Sequence, residues 1–274
     1  MISRNRARTF SVTHFTGFGP FTLLFYIYLF IPIVALVVFS FNASSSATIW
    51  TGFSMKWFVV AFTNRDLQNS AFNSLTIALS AAILSSFAAT LMAIMVARQA
   101  ARRPSGIAQA LIMLPLVIPE VIIGVAVLGF FSFVQLSLGR GNLIIAHTML
   151  CIPYAFLPVR ARLQNMDASL ELAARDLYAT ELQVLRRITV PLLTPGIVAG
   201  LMLAFVNSMD NFIVSMLVAQ PGSTTLPIYI YALMRQGVRP DVNAASTIIL
   251  TISVVLVVMS YLIAKRAETP MKSE

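Results

Sequence analysis

The chain has 274 residues, of which 58% are hydrophobic and only 11% charged, and it carries a formal net charge of +9. A soluble domain covers its surface with roughly a quarter charged residues, so this composition excludes a soluble globular protein and points to an all-α polytopic chain whose solvent is the bilayer. The single Cys151 allows neither an intrachain disulfide nor a cysteine-based metal site. The Lys and Arg residues gather at the ends of apolar runs, where they read as topology signals rather than as a nucleic-acid surface.

Residues 1–20 form a basic tail with Arg4, Arg6 and Arg8 ahead of an apolar run. That run is about 20 residues long and no A-x-A-like cleavage site closes it, so it reads as a retained first helix rather than a signal peptide. Stretches long enough to cross about 30 Å of hydrocarbon cover residues 21–41, 72–96, 107–134, 143–159, 196–219 and 244–264. Six spans put both termini on one side. On that assumption fourteen Lys and Arg fall on the terminus side and five on the other, which predicts cytoplasmic termini.

Between the first two spans, Ser44, Ser45 and Ser46 precede Trp50, Phe53, Trp57 and Phe58. An aromatic-anchored interfacial segment and an ordinary surface loop are both open readings there. The connection over 220–243 contains Pro221-Gly222, Pro227 and Pro240, and its middle, 228–234, fits a short re-entrant or interfacial helix.

Two acidic residues lie inside expected spans, where insertion scales set a cost of roughly 2.5–3.5 kcal/mol for Asp at a helix centre. Glu120 follows Pro119 near the middle of the third span, and Asp210 lies well inside the fifth beside Asn207, Ser208 and Asn211. These groups suit a passage for a cationic solute, with packing through helix–helix hydrogen bonds as the alternative. His14 and His147 have no second ligand near them in sequence, so a packing histidine is the reading for His147. No G-x-x-x-x-G-K-[ST], G-x-S-x-G or H-E-x-x-H occurs, so the chain is expected neither to hydrolyse ATP nor to be an enzyme, and needs no cofactor of its own.

Residues 166–191 hold Asp167, Glu171, Asp176 and Glu181 beside Arg175, Arg186 and Arg187. Leu170, Ala173, Ala174 and Leu177 recur at i, i+3, i+4 and i+7, which predicts a short amphipathic helix with Ser169 as its cap. A second helical turn is expected around Leu182, Leu185 and Ile188, ahead of Pro191 and Pro195.

This segment resembles the EAA loop of type I ABC importer permeases, with the pattern Glu-Ala-Ala, three residues, Gly, nine residues, Ile, one residue, Leu-Pro. Aligned without gaps, Ala173, Ala174, Ile188 and Pro191 match. Leu172 stands for the glutamate, with Glu171 adjacent, Val190 for the leucine, and Tyr178 for the glycine, a change expected to alter the turn. The segments 39–42, 50–57, 115–120, 204–210 and 237–244 also look like polyamine permeases, most of all the second permease subunit for spermidine or putrescine.

The resemblance implies a permease domain over 72–264 with its coupling loop at 163–194. It is preceded by the first helix and an extracytoplasmic segment over 21–71, and followed by a cytoplasmic tail over 265–274. It implies a second permease subunit, two ATPase subunits that bind ATP and Mg, an extracytoplasmic solute-binding protein, and a bacterial inner-membrane location. Similar permeases often have a second aspartate at the position of Asn211. The alternatives are another solute, such as an amino acid, an anion or iron, and a proton-coupled transporter or channel using Asp210 and Glu120.

Overall fold

A computed structural model of the chain describes residues 18–44, 49–100, 106–167, 169–235 and 240–267. The N-terminal arginines, His14, Arg102, Arg103, Arg239 and Lys272 lie outside them. Among the described residues the chain is helical, with one isolated antiparallel bridge between Asn42 and Phe53 and no strand.

Helix α1 (Phe18–Ser40) is apolar all round and packs against α12 (Pro240–Ala267). None of its most apolar stretch is buried, which in water would be untenable and in lipid is unremarkable. After it, the chain folds back on itself. Asn42 is buried and donates through Nδ2 to the Ile49 carbonyl at 2.7 Å, while Trp57 Nε1 donates to the Asn42 carbonyl at 2.9 Å. Phe41 stacks between Phe53 and Phe58 with centroids 5.3 and 4.8 Å away, leading into α2 (Lys56–Thr63).

The expected outer segment is therefore shorter than residues 42–71, because α3 begins at Arg65 and runs 36 residues to Ala100. At 1.5 Å per residue it is about 54 Å long, well beyond the hydrocarbon thickness.

The expected third span is not one helix. It is α4 (Gly106–Val117) and α5 (Glu120–Phe133), bent by 101° at Ile118 and Pro119. Proline has no N–H to continue the ladder and bars its predecessor from the helical region, so the break falls where the sequence puts it. Neither half alone reaches 30 Å. Helix α6 (Arg140–Gln164) follows as one span.

The fifth span begins earlier and ends earlier than the apolar run suggests. Helix α7 (Ser169–Asp176) is followed by α8 (Glu181–Val184), a π-helical turn over Leu185–Thr189 and α9 (Val190–Asp210). The last three form a continuous helical run, Glu181–Asp210. The chain then breaks at Asn211 before the short α10 (Ile213–Val218), and α11 (Leu226–Arg235) supplies the short helix expected over 228–234. With 28 residues, α12 covers the expected sixth span.

The core lies where α3, α6 and α9 meet, and it is rich in small residues: Ala82, Ala89, Ala93, Ala155 and Ala204 share it with Ile94, Phe156, Val159 and Leu193. Small side chains let helix backbones approach where lipid offers no hydrophobic drive to associate. Gly196 and Gly200, one turn apart on α9, make the closest crossing. A Cβ at Gly200 would stand 2.6 Å from the Ala155 carbonyl oxygen, a backbone atom that cannot step aside. Gly200→Leu is expected to part α6 from α9, at a cost of at least about 1–3 kcal/mol. The check is a lower thermal transition in detergent; an unchanged transition would show that the crossing is looser than the geometry states.

Candidate functional site

Two regions carry the chemistry. The first is the amphipathic segment at the arginine-rich end of the bundle. Asp167 accepts the Ser169 N–H at 2.9 Å, so the start of α7 is fixed by Asp167, while Ser169, expected as the cap, sits in the first turn. That hydrogen bond holds the Asp167 carboxyl below the usual carboxylate range.

At its other end α7 stops in a Schellman motif. The Ala179 N–H reaches the Ala174 carbonyl at 3.0 Å and the Tyr178 N–H the Arg175 carbonyl at 2.9 Å, with Tyr178 at φ +57°. Tyr178 was expected to alter the turn. Instead it adopts the left-handed conformation that glycine would supply, and keeps the turn. The tyrosine side chain is 95% exposed and packs on nothing that would compensate. Tyr178→Gly should relieve roughly 1 kcal/mol of local strain, less the glycine's extra unfolded-state entropy. Slower hydrogen exchange at the Ala179 amide is the expected reading, and faster exchange would refute it.

The face of α7 turned to its own protein carries Glu171 and Ala174, both half-buried. Thr189, 2% exposed in the π-helical turn, donates to Glu171 Oε1 at 2.6 Å. Arg175 forms an ion pair with Glu181 Oε1 at 3.2 Å, and Arg98 at the end of α3 donates to Glu181 Oε2 at 3.0 Å. The other face offers Leu170 and Leu177, 47% and 82% exposed, with Ala173 exposed between them and Leu172 exposed alongside. Ala174 is half-buried. Glu171 thus faces the bundle, while Leu170, Leu172, Ala173 and Leu177 are exposed together with Arg175 and Asp176. Ile188 lies half-buried in the π-helical turn, and Pro191 is exposed just after it, inside the continuous run, where its missing N–H removes a helical hydrogen bond.

The second region is the break after α9, and it sorts the expected polar quartet. Ser208 is buried and meets His147 Nδ1 at 2.7 Å, while Ser215 on α10 meets His147 Nε2 at 3.0 Å. His147 is thus a packing histidine that ties α6 to both sides of the break. Asn211 is also buried, and its Oδ1 accepts the Val214 N–H at 3.1 Å, capping α10. Asn207 is half-buried with its Oδ1 3.7 Å from the Cys151 sulfur.

Asp210 differs from all three. It is exposed at the last residue of α9, and makes no hydrogen bond or ion pair among the described residues. A carboxylate at the C-terminal end of a helix lies where the dipole is negative and its charge is disfavoured. Glu120 is the reverse case. It is half-buried at the first residue of α5, where the dipole favours its charge, so its expected place mid-span becomes a helix start. No group of three or more His, Cys, Asp or Glu side chains among the described residues could hold a metal ion.

Sequence reasoning passed over Thr189 and the pairing role of Glu181. Neither has a local signal, since each acts on a residue distant in the chain. The Gly196/Gly200 pair does have one, the small-xxx-small spacing.

Residues 89–270 match the family described as binding-protein-dependent transport system inner membrane component. The chain is 37% identical over 248 residues to the spermidine/putrescine transport system permease protein PotC of Haemophilus influenzae, covering 90% of this chain and 96% of that one. It is 36% identical over 250 residues to the putrescine transport system permease protein PotI of Escherichia coli, covering 89% of each. In fold it is similar to a chain of a bacterial ABC transporter that imports the acidic polysaccharide alginate. That likeness has a TM-score of 0.73 at 21% identity, covering 91% of this chain and 94% of that one.

Proposed function

The chain belongs to the binding-protein-dependent transport system inner membrane components, the type I ABC permeases, and from that premise we propose that it is the subunit through which an ATP-driven importer passes putrescine or spermidine across the bacterial inner membrane. In this reading its termini are cytoplasmic. It pairs with a second permease subunit, takes its drive from two ATPase subunits that bind ATP and Mg, and receives solute from an extracytoplasmic binding protein.

The observation that carries the subunit's role is the exposed apolar stripe of α7. An amphipathic helix that holds Glu171 on its own bundle and leaves Leu170, Ala173 and Leu177 exposed suits a cleft in a partner, where apolar knobs exclude water and the helix moves as the cleft closes. Placing ATP hydrolysis in the partner agrees with the absence of a phosphate-binding loop from the sequence.

The polyamine reading is supported by the printed roles of the similar proteins and by Asp210 at the helix break. An ammonium group there meets a carboxylate and the carbonyl end of α9 together, the arrangement by which discontinuous membrane helices bind cations. Asn207 borders the site, and Glu120 adds a second carboxylate at another break. Asn211 shapes the path by fixing α10 rather than by touching solute.

The test is uptake of labelled putrescine and spermidine by vesicles carrying the reconstituted complex, with and without ATP. ATP-dependent accumulation of either is the expected result. Accumulation that persists without the ATPase subunits would favour a proton-coupled carrier or channel, and no accumulation of either compound would assign another solute.

A further inference from the structure

The ion pairs at the arginine-rich end converge on one carboxylate. Glu181 opens the continuous helical run Glu181–Asp210, where the positive end of the helix dipole favours its charge. Its two oxygens are divided between Arg98 in the last turn of α3 and Arg175 in the last turn of α7. Three elements therefore meet at this side chain: α3 and, far along the chain from it, α7 and the helix leading into α9.

The bond from Thr189 to Glu171 ties α7 to the helix leading into α9 only. No other hydrogen bond or ion pair among the described residues links α3 to the 166–184 segment.

We propose that Glu181 is a positioning residue for transport, the joint that carries displacement of α7 to α3. The proposal rests on the reading of α7 as the helix that a partner ATPase moves. Helix α3 is suited to pass such a displacement on. Asn73 lies 25 residues before Arg98, about 38 Å along the axis at 1.5 Å per residue. There Asn73 Nδ2 donates to the Gly222 and Thr224 carbonyls at 3.2 and 2.9 Å, and Ser74 Oγ accepts the Leu226 N–H at 2.8 Å. The same connection reaches the turn before α6, where Gln220 Oε1 accepts the Gly139 N–H at 2.8 Å.

A push delivered at Arg98 thus arrives at the link between α10 and α11, on the far side of the break that carries Asp210. Without Glu181, two arginines face each other with no countercharge, and of the side-chain bonds that tie α7 to the bundle the one between Thr189 and Glu171 remains.

Exposed ion pairs add little to stability, so loss of Glu181 should leave a folded, inserted protein whose coupling is changed. The experiment uses the full complex in vesicles with labelled putrescine, and reads solute carried per ATP hydrolysed. Glu181→Gln, Arg98→Gln and the double variant are compared with wild type, alongside Ala173→Asp. Glu181→Gln is expected to lower the ratio about threefold or more, the range of single-residue effects on coupling. Its thermal transition in detergent should not move.

The double variant should be no worse than Glu181→Gln alone, since both remove the same joint. A wild-type ratio in Glu181→Gln, or single effects that multiply in the double variant, would overturn the proposal. If Ala173→Asp transports normally, it is the coupling role of α7 that fails. If Ala173→Asp is inactive while Glu181→Gln is normal, only the joint fails.

Discussion

Replacing Ala173 with aspartate is expected to abolish ATP-driven uptake while leaving the protein inserted and folded. Ala173 lies on the face of α7 that the chain does not use itself, exposed between Leu170 and Leu177. A carboxylate there meets only water in the isolated chain, so folding should not register it beyond alanine's helix preference, roughly 0.7 kcal/mol. In the proposed joint the same carboxylate enters an apolar cleft with no partner. An unpaired charge buried in an interface costs several kcal/mol, and each 1.4 kcal/mol is a factor of about ten in affinity. ATPase subunits should therefore dissociate from the variant, or hydrolyse ATP without moving solute. Ala173→Ser, which adds a hydroxyl but no charge, should retain most activity. Normal uptake by Ala173→Asp would mean that the exposed face of α7 is not a docking surface.

How much of this could be read from the sequence depended on how far apart the interacting residues lie. The α7 stripe and the first, fourth and sixth apolar runs are local patterns, and they reappear in the structure as helices that cover nearly or more than the expected residues. The third span failed because its 28-residue length suggested one helix, although Pro119 marked the break. Tyr178 failed for a subtler reason: residue type disfavours the left-handed region, but the surrounding Schellman hydrogen bonds impose it. The bond between Glu181 and Arg98 could not have been read, because it joins residues 83 positions apart. The polar quartet was legible as a group and not in its parts. Only three-dimensional packing separates Ser208 and Asn211, which the fold consumes, from Asp210, which it leaves open.

That separation makes Asp210→Asn the decisive substitution at the break. Asparagine keeps the shape and the acceptor oxygen and removes only the charge. Asp210 makes no hydrogen bond or ion pair among the described residues, so no packing contact is lost with it. Stability should hold or rise slightly, since a negative charge at the end of α9 opposes the helix dipole by about 0.3–1 kcal/mol. Transport should respond in the opposite direction. A hydrogen bond between ammonium and carboxylate contributes roughly 1.5–3 kcal/mol, so uptake of putrescine is expected to fall about ten- to a hundredfold. Stimulation of ATP hydrolysis by the loaded binding protein should survive, because α7 is untouched. Asp210→Glu, which keeps the charge and extends it by one methylene, should restore a substantial part. A packing role predicts another pattern, with both variants destabilised and uptake falling only as far as folded protein is lost. Unchanged uptake in a stable Asp210→Asn would take this carboxylate off the path and leave Glu120, at the bend between α4 and α5, as the acidic group to test next.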